Sequence, residues 1–95
     1  VADDEKTHDP AEMRLVLIEW EDSVGADPRW QLLEDTEPRH PAQCRSVGWL
    51  ACDEDDYKTV IPHTILPGVG VCAQGSGDMT IPTSAVRRIV DLVVS

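Results

Sequence analysis

The sequence predicts a small, mainly β domain whose single sheet curls toward closure. Three observations predict it. Short stretches of alternating apolar and polar residues recur along the chain, and a side-chain period of two is the mark of a half-buried strand. Gly, Pro and acidic clusters separate these stretches, which is turn chemistry. With 95 residues there is room for one small core and not two.

Residues 1–12 hold five acids, one Lys and one Pro with no apolar period, and read as a disordered acidic arm. The ordered pattern begins at Met13, so the domain is expected to span residues 13–95. Residues 13–21 read as the first strand. Val16, Ile18 and Trp20 form one apolar face, and Leu15, Leu17 and Glu19 a largely apolar second one. Residues 22–43 are the least regular part, a long connection with Pro28, Pro38 and Pro41. Asp27 as N-cap and Pro28 at the first helical position would start a short helix through Trp30, Leu32 and Leu33.

Residues 44–52 read as the second strand, with Val47, Trp49 and Ala51 on one face and Ser46, Gly48, Leu50 and Cys52 on the other. Gly48 beside Trp49 predicts a close backbone approach or a bulge. Asp53, Glu54, Asp55 and Asp56 make a hairpin tip, because four like charges do not pack. Residues 57–61 are the third strand and Pro62 ends it. Residues 63–77 read as a Gly- and Pro-rich loop in which residues 69–72 pair weakly. Residues 78–82 are the fourth strand, with Met79 and Ile81 on one face and Thr80 on the other. Val86, Ile89, Val90 and Val93 also fit a helical face, but the β-branched run favours a strand. One 3₁₀ turn at residues 83–86 and a fifth strand at residues 87–93 are expected.

Five short strands, a long first loop, an acidic hairpin and a 3₁₀ turn before the last strand are the order of an SH3-like small barrel. Closing the sheet removes its open edges. The segments Ser46-Val47-Gly48-Trp49-Leu50, residues 53–56, Pro62-His63, residues 74–82 and Ser84-Ala85-Val86 resemble small proteins of phages and prophages, a likeness over about residues 13–92 that implies the same barrel and no particular activity. Val47-Gly48-Trp49, residues 78–82 and Arg88-Ile89 are more loosely similar to the plasmid-encoded type of dihydrofolate reductase. That enzyme is a tetrameric SH3-like barrel that binds folate and nicotinamide through a Val-Gln-Ile-Tyr strand. Asp78-Met79-Thr80-Ile81 stands in the comparable place here and lacks the Gln and the Tyr, so the likeness implies the fold without the reaction.

Charge narrows the functions. The formal charge is −10 with a pI near 4.4, against both a phosphate-binding nucleic-acid surface and attraction to anionic lipid. The acids concentrate in residues 1–56, and the second half of the chain is close to neutral. Cys44, Cys52 and Cys72 are odd in number, which fits a reducing compartment better than a disulfide framework. No apolar run approaches the roughly 18 residues of a membrane span, and the N-terminus is not built as a signal peptide. A cytoplasmic protein of a bacterial cell is the expectation.

Candidate chemistry is sparse. Cys44, Cys52, Cys72, His40 and His63 lack the close ligand pairs of zinc sites. His63 with Asp78 and one of Ser76, Ser84 or Cys72 would make a triad, but no nucleophile elbow is present. Gln74, Gly75, Ser76, Gly77 and Asp78 are the best binding candidate. The two glycines free backbone N–H groups that could cradle an anion, with Thr80 and His63 alongside. Asp53, Glu54, Asp55 and Asp56 offer an acidic knob to a basic partner. These features predict a non-catalytic interaction module without metal or cofactor, which binds a host protein and could inhibit it. The alternatives are a homo-oligomer with a small-molecule or nucleotide site between subunits, and a reductase-like tetramer.

Overall fold

The computed structural model describes residues 10, 12–25 and 28–94. Five strands form one antiparallel sheet: β1 (Arg14–Asp22), β2 (Ala42–Asp53), β3 (Tyr57–Ile61), β6 (Met79–Pro82) and β7 (Val86–Asp91), in the order β6-β3-β2-β1-β7. Two short strands, β4 (His63–Ile65) and β5 (Gln74–Ser76), pair with each other as a second sheet. The chain is mainly β, with 3₁₀ turns at Leu33–Asp35 and Thr83–Ala85. Among the described residues no ladder joins the edge strands β6 and β7. Of the acidic arm expected at residues 1–12, only residues 10 and 12 are described.

The alternation in β1 decides which face is inside. Val16 and Ile18 are fully buried, and Trp20 packs against the same core. Their partners across the ladder are Gly48, Ser46 and Cys44 on β2. The Trp20 indole N–H donates to Ser46 Oγ at 3.0 Å, which answers the polar demand that a half-buried indole brings. Leu50, Val60 and Ile81 complete the buried cluster, with Met79, Ala85, Val86 and Ile89 packed around it. All five strands and the second 3₁₀ turn therefore feed one core. Fully burying each large aliphatic contributes about 1.5–3 kcal/mol.

β2 is the long curved strand. Its register with β3 shifts between Leu50 and Cys52, so Ala51 is an extra, bulged residue. The bulge breaks the expected alternation. Ala51 was expected to share a face with Val47 and Trp49, yet it is buried while Val47 is exposed. The close approach lies at Gly48, where an added Cβ would stand 3.0 Å from the Ile61 carbonyl oxygen.

Two further expectations are corrected. A short helix was read from Asp27 and Pro28. Asp27 lies outside the described residues, and from Pro28 the chain runs without a helix to the three-residue 3₁₀ turn. Trp30 and Leu33 are almost wholly exposed, and that turn has no side-chain cap. A helix this short needs a packed face or a cap to form, and neither is supplied.

The second correction concerns residues 63–77, read as a loop. The β3–β6 register ends at Val60↔Met79 and resumes in step at His63↔Ser76, Thr64↔Gly75 and Ile65↔Gln74, then Gly68↔Val71. The whole stretch is one long hairpin. Of the residues expected to pair weakly at 69–72, Val71 does so, exchanging N–H to O bonds of 3.0 Å in both directions with Gly68, and these bonds close a two-residue turn at Val69 and Gly70. Gly70 sits there at φ +70°, as such turns require. The ladder breaks at Pro62, which has no N–H to donate, opposite Gly77 at φ +79°.

Candidate functional site

The polar cluster expected at His63, Gln74, Gly75, Ser76, Gly77, Asp78 and Thr80 is divided by this hairpin. His63, Gln74, Gly75 and Ser76 line a shallow depression of about 150 Å³ together with Thr64 and Ile65. Thr80 is elsewhere, in β6, where its Oγ1 lies 2.8 Å from Thr59 Oγ1 across the ladder. Asp78 is exposed at the break in the hairpin. His63 and Ser76 face each other in register, but no hydrogen bond among the described residues joins His63, Ser76 and Asp78 into a relay. Ser84 lies in the second 3₁₀ turn and Cys72 in the exposed hairpin end. The depression is smaller than the roughly 300–1,000 Å³ of ligand pockets.

The two glycines have packing partners of their own. A Cβ at Gly75 would lie 3.0 Å from Ile61 Cγ2, and one at Gly77 would lie 3.0 Å from Pro62 Cγ. Both positions let the side chains just before the break fold over the returning strand.

The acidic knob is better defined. Asp53 is the last residue of β2 and pairs directly with Lys58 of β3. Lys58 Nζ donates to Asp53 Oδ1 and to the Glu54 carbonyl oxygen, both at 2.5 Å. Arg14 approaches Asp53 Oδ2 at 3.6 Å. The Glu54 N–H donates to the Tyr57 carbonyl at 3.0 Å, and the Thr83 N–H to the Asp56 carbonyl at 2.9 Å. The tip backbone is thus held from β3 and the second 3₁₀ turn, and its Asp53 carboxylate from β1 as well. Asp53 anchors it, while Asp55 and Asp56 are exposed and make no ion pair among the described residues.

The sheet cations are engaged elsewhere. Arg88 and Arg45 flank Glu19 at 2.7 and 3.7 Å, Arg87 meets Glu21 at 2.6 Å, and Arg14 meets Asp91 at 2.7 Å. Hydrogen bonds from Arg87 and then Gln43 hold the Glu21 carboxyl below its ordinary pKa, and Glu21 raises that of Arg87. The partners lie far apart in the sequence, where nothing local marks them, and the register of β1 with β2 and β7 brings them together.

Lys58 is the residue on which the tip depends. Its side chain is only 14% exposed, and it lies on the core face beside Val60 and Ile81. Lys58→Met keeps the apolar stem and removes the ammonium. It is expected to lower stability by about 1–2 kcal/mol, the worth of hydrogen bonds to a charged group with partial rescue by Arg14. Urea unfolding and amide exchange at Glu54 measure it; an unchanged midpoint with unchanged exchange would mean that the ammonium holds nothing.

Cys44 and Cys52 are half-buried, Cys72 is exposed, and all three are free thiols. Among the described residues no three His, Cys, Asp or Glu side chains stand close enough to hold a metal ion. An open depression of about 310 Å³ in the β1–β2 connection is lined by Gln31, Asp35, Glu37 and Arg39, residues with no place in the expected sites. No helix among the described residues is long and apolar enough to cross a membrane. No family model, no curated protein and no solved structure matches the chain.

Proposed function

We propose that this chain is a non-catalytic, acidic protein-binding module on an SH3-like barrel scaffold, of the kind carried by phages and mobile elements. Two features support the barrel reading: the strand order β6-β3-β2-β1-β7 and a 3₁₀ turn that leads from β6 into β7. One observation carries the binding reading. The β2–β3 tip is pinned through Asp53, Glu54 and Asp56, and it presents the Asp55 and Asp56 carboxylates to solvent on a preordered backbone. Preorder reduces the entropy lost when such a tip docks. Unpaired carboxylates select a basic surface and hasten encounter with it. The partner is a host protein whose basic groove accepts the tip.

Capture from bacterial lysate on the immobilised chain tests this, at low and at high salt. A protein held at low salt, released at high salt and lost with Asp55→Ser/Asp56→Ser is the expected result. Capture that the double substitution leaves intact would refute the role of the tip.

A further inference from the structure

We propose that the β4–β5 arm joins two copies of this chain, by antiparallel pairing of β5 of one copy with β5 of the other. Three independent observations lead there: the composition of the arm, its exposure and its open edges.

The chain carries −10 overall, yet residues 62–77 contain no Asp, Glu, Lys or Arg. Residues 65–78 are all exposed. Ile65 and Leu66 show half or more of their surface, and Val69 shows all of it. An uncharged apolar segment in water is the composition of an interface centre, where charged residues are depleted.

A two-stranded hairpin standing alone is marginal in water, and three or more strands are needed for independent stability. The inner half of this hairpin gains its third strand from the sheet, because β3 also pairs with β2. Among the described residues the outer half has none; β4 and β5 pair only with each other. Both of its edges are therefore open, and no Lys or other charge guards them. Such edges are templates for strand addition from another chain.

The two edges are not equal. Pro67 follows β4 with Leu66 between, and its missing N–H bars the extension of a ladder on that side, whereas the missing N–H of Pro62 faces Gly77 inside the hairpin. Residues 72–77, on the β5 side, contain no proline. The free edge of β5 is the competent one.

A second copy fits this edge better than an unrelated protein does. Antiparallel pairing of identical strands is two-fold symmetric, so one edge satisfies itself and the assembly closes as a dimer. The result is a four-stranded arm with each hairpin in its third-strand environment. Charge points the same way. Two bodies of −10 repel one another on direct contact, whereas arms that carry no charge meet without that cost and hold the acidic bodies apart.

Sedimentation velocity on the full chain tests the proposal, up to on the order of 100 μM. Cys72 and Ala73 are exposed and lie outside the β4–β5 ladder. Ala73→Lys puts a charge on the arm, and Cys72→Pro removes an N–H that faces the free edge, because Val71 before it exchanges its bonds with Gly68. Both alter the edge and leave the β4–β5 bonds intact. The wild-type chain is expected to dimerise, and each variant to weaken association at least about tenfold with an unchanged circular dichroism spectrum. Amide exchange at dimer concentration is expected to gain protection in residues 72–77. Asp55→Ser/Asp56→Ser dimerises like the wild type, which separates this proposal from the role of the acidic tip. A wild-type chain that stays monomeric, a dimer that survives both substitutions, or new protection that maps outside the arm would each overturn it.

Discussion

Gly48→Ala is expected to destabilise the chain by about 1–3 kcal/mol through overpacking. Gly48 is buried in β2. Its added Cβ would meet the Ile61 carbonyl oxygen at 3.0 Å, the carbonyl carbon at 3.2 Å and the amide nitrogen at 3.4 Å. All three are backbone atoms of a strand paired to β2, so no rotamer change relieves the contact. Alanine recovers about 0.4–1 kcal/mol by restricting the unfolded chain, which leaves the lower part of the range as the net effect. In a domain of this size each kcal/mol moves the melting midpoint by roughly 4–8 °C. Ile61 is also the last residue of β3 before Pro62, so a displaced Ile61 would re-aim the arm. Urea unfolding with an unchanged m-value measures the cost. A midpoint equal to or above that of the wild type would show that β3 can withdraw from β2 freely.

Much of the sheet was readable because alternation is a local signal with a single meaning. Val16, Ile18 and Trp20 share one face by alternation, and Glu19 on the other face marks that one as the outer. The fourth strand, with Met79 and Ile81 inward, was legible for the same reason. Gly48 announced the close approach, since a strand interior offers few other reasons for glycine. The outer hairpin was hidden because its evidence is non-local. Pro62, Pro67 and the glycines at 68, 70, 75 and 77 each read as loop residues, whereas the ladder from His63↔Ser76 outward inherits a register set at Val60↔Met79. The Trp30, Leu32 and Leu33 patch misled in the opposite sense. It has the composition of a helix face, and the fold supplies no surface to cover it.

The candidate sites show a similar limit. A glycine kept for positive φ and a glycine kept for space look alike in sequence. Gly77 proved to be both, and Gly75 makes room for Ile61. The anion cradle read from this pair therefore competes with a packing role for each. In the acidic run the four carboxylates looked equivalent. Only the register separates Asp53, directly across from Lys58, from Asp55 and Asp56. The expected tip at residues 53–56 would set Cys52 against Tyr57, and the observed loop, one residue further on, places Asp53 and Lys58 face to face instead.

Ile18→Ala is expected to be the most costly single substitution, at about 2–5 kcal/mol. Ile18 is fully buried on β1, which has a paired neighbour on each side, and its ladder partners are Ser46 and Ile89. Ser46 is occupied with the Trp20 indole, and Ile89 is held by its own strand, so neither can slide into the space left behind. The large-to-small cost then includes the cavity as well as the lost transfer energy. Against a total stability of about 5–15 kcal/mol, the loss would place the variant near the limit of folding. Ile18→Val removes one methylene's worth of contact and is expected to cost about 0.5–1.5 kcal/mol. Val47→Ala, on the exposed face of the neighbouring strand, is expected to stay within about 0.5 kcal/mol. Chemical denaturation of the three variants gives the ordering. If Ile18→Ala cost no more than Ile18→Val, the cluster around Ile18 would have to relax into the void, and the single rigid core drawn from all five strands would not be the source of stability.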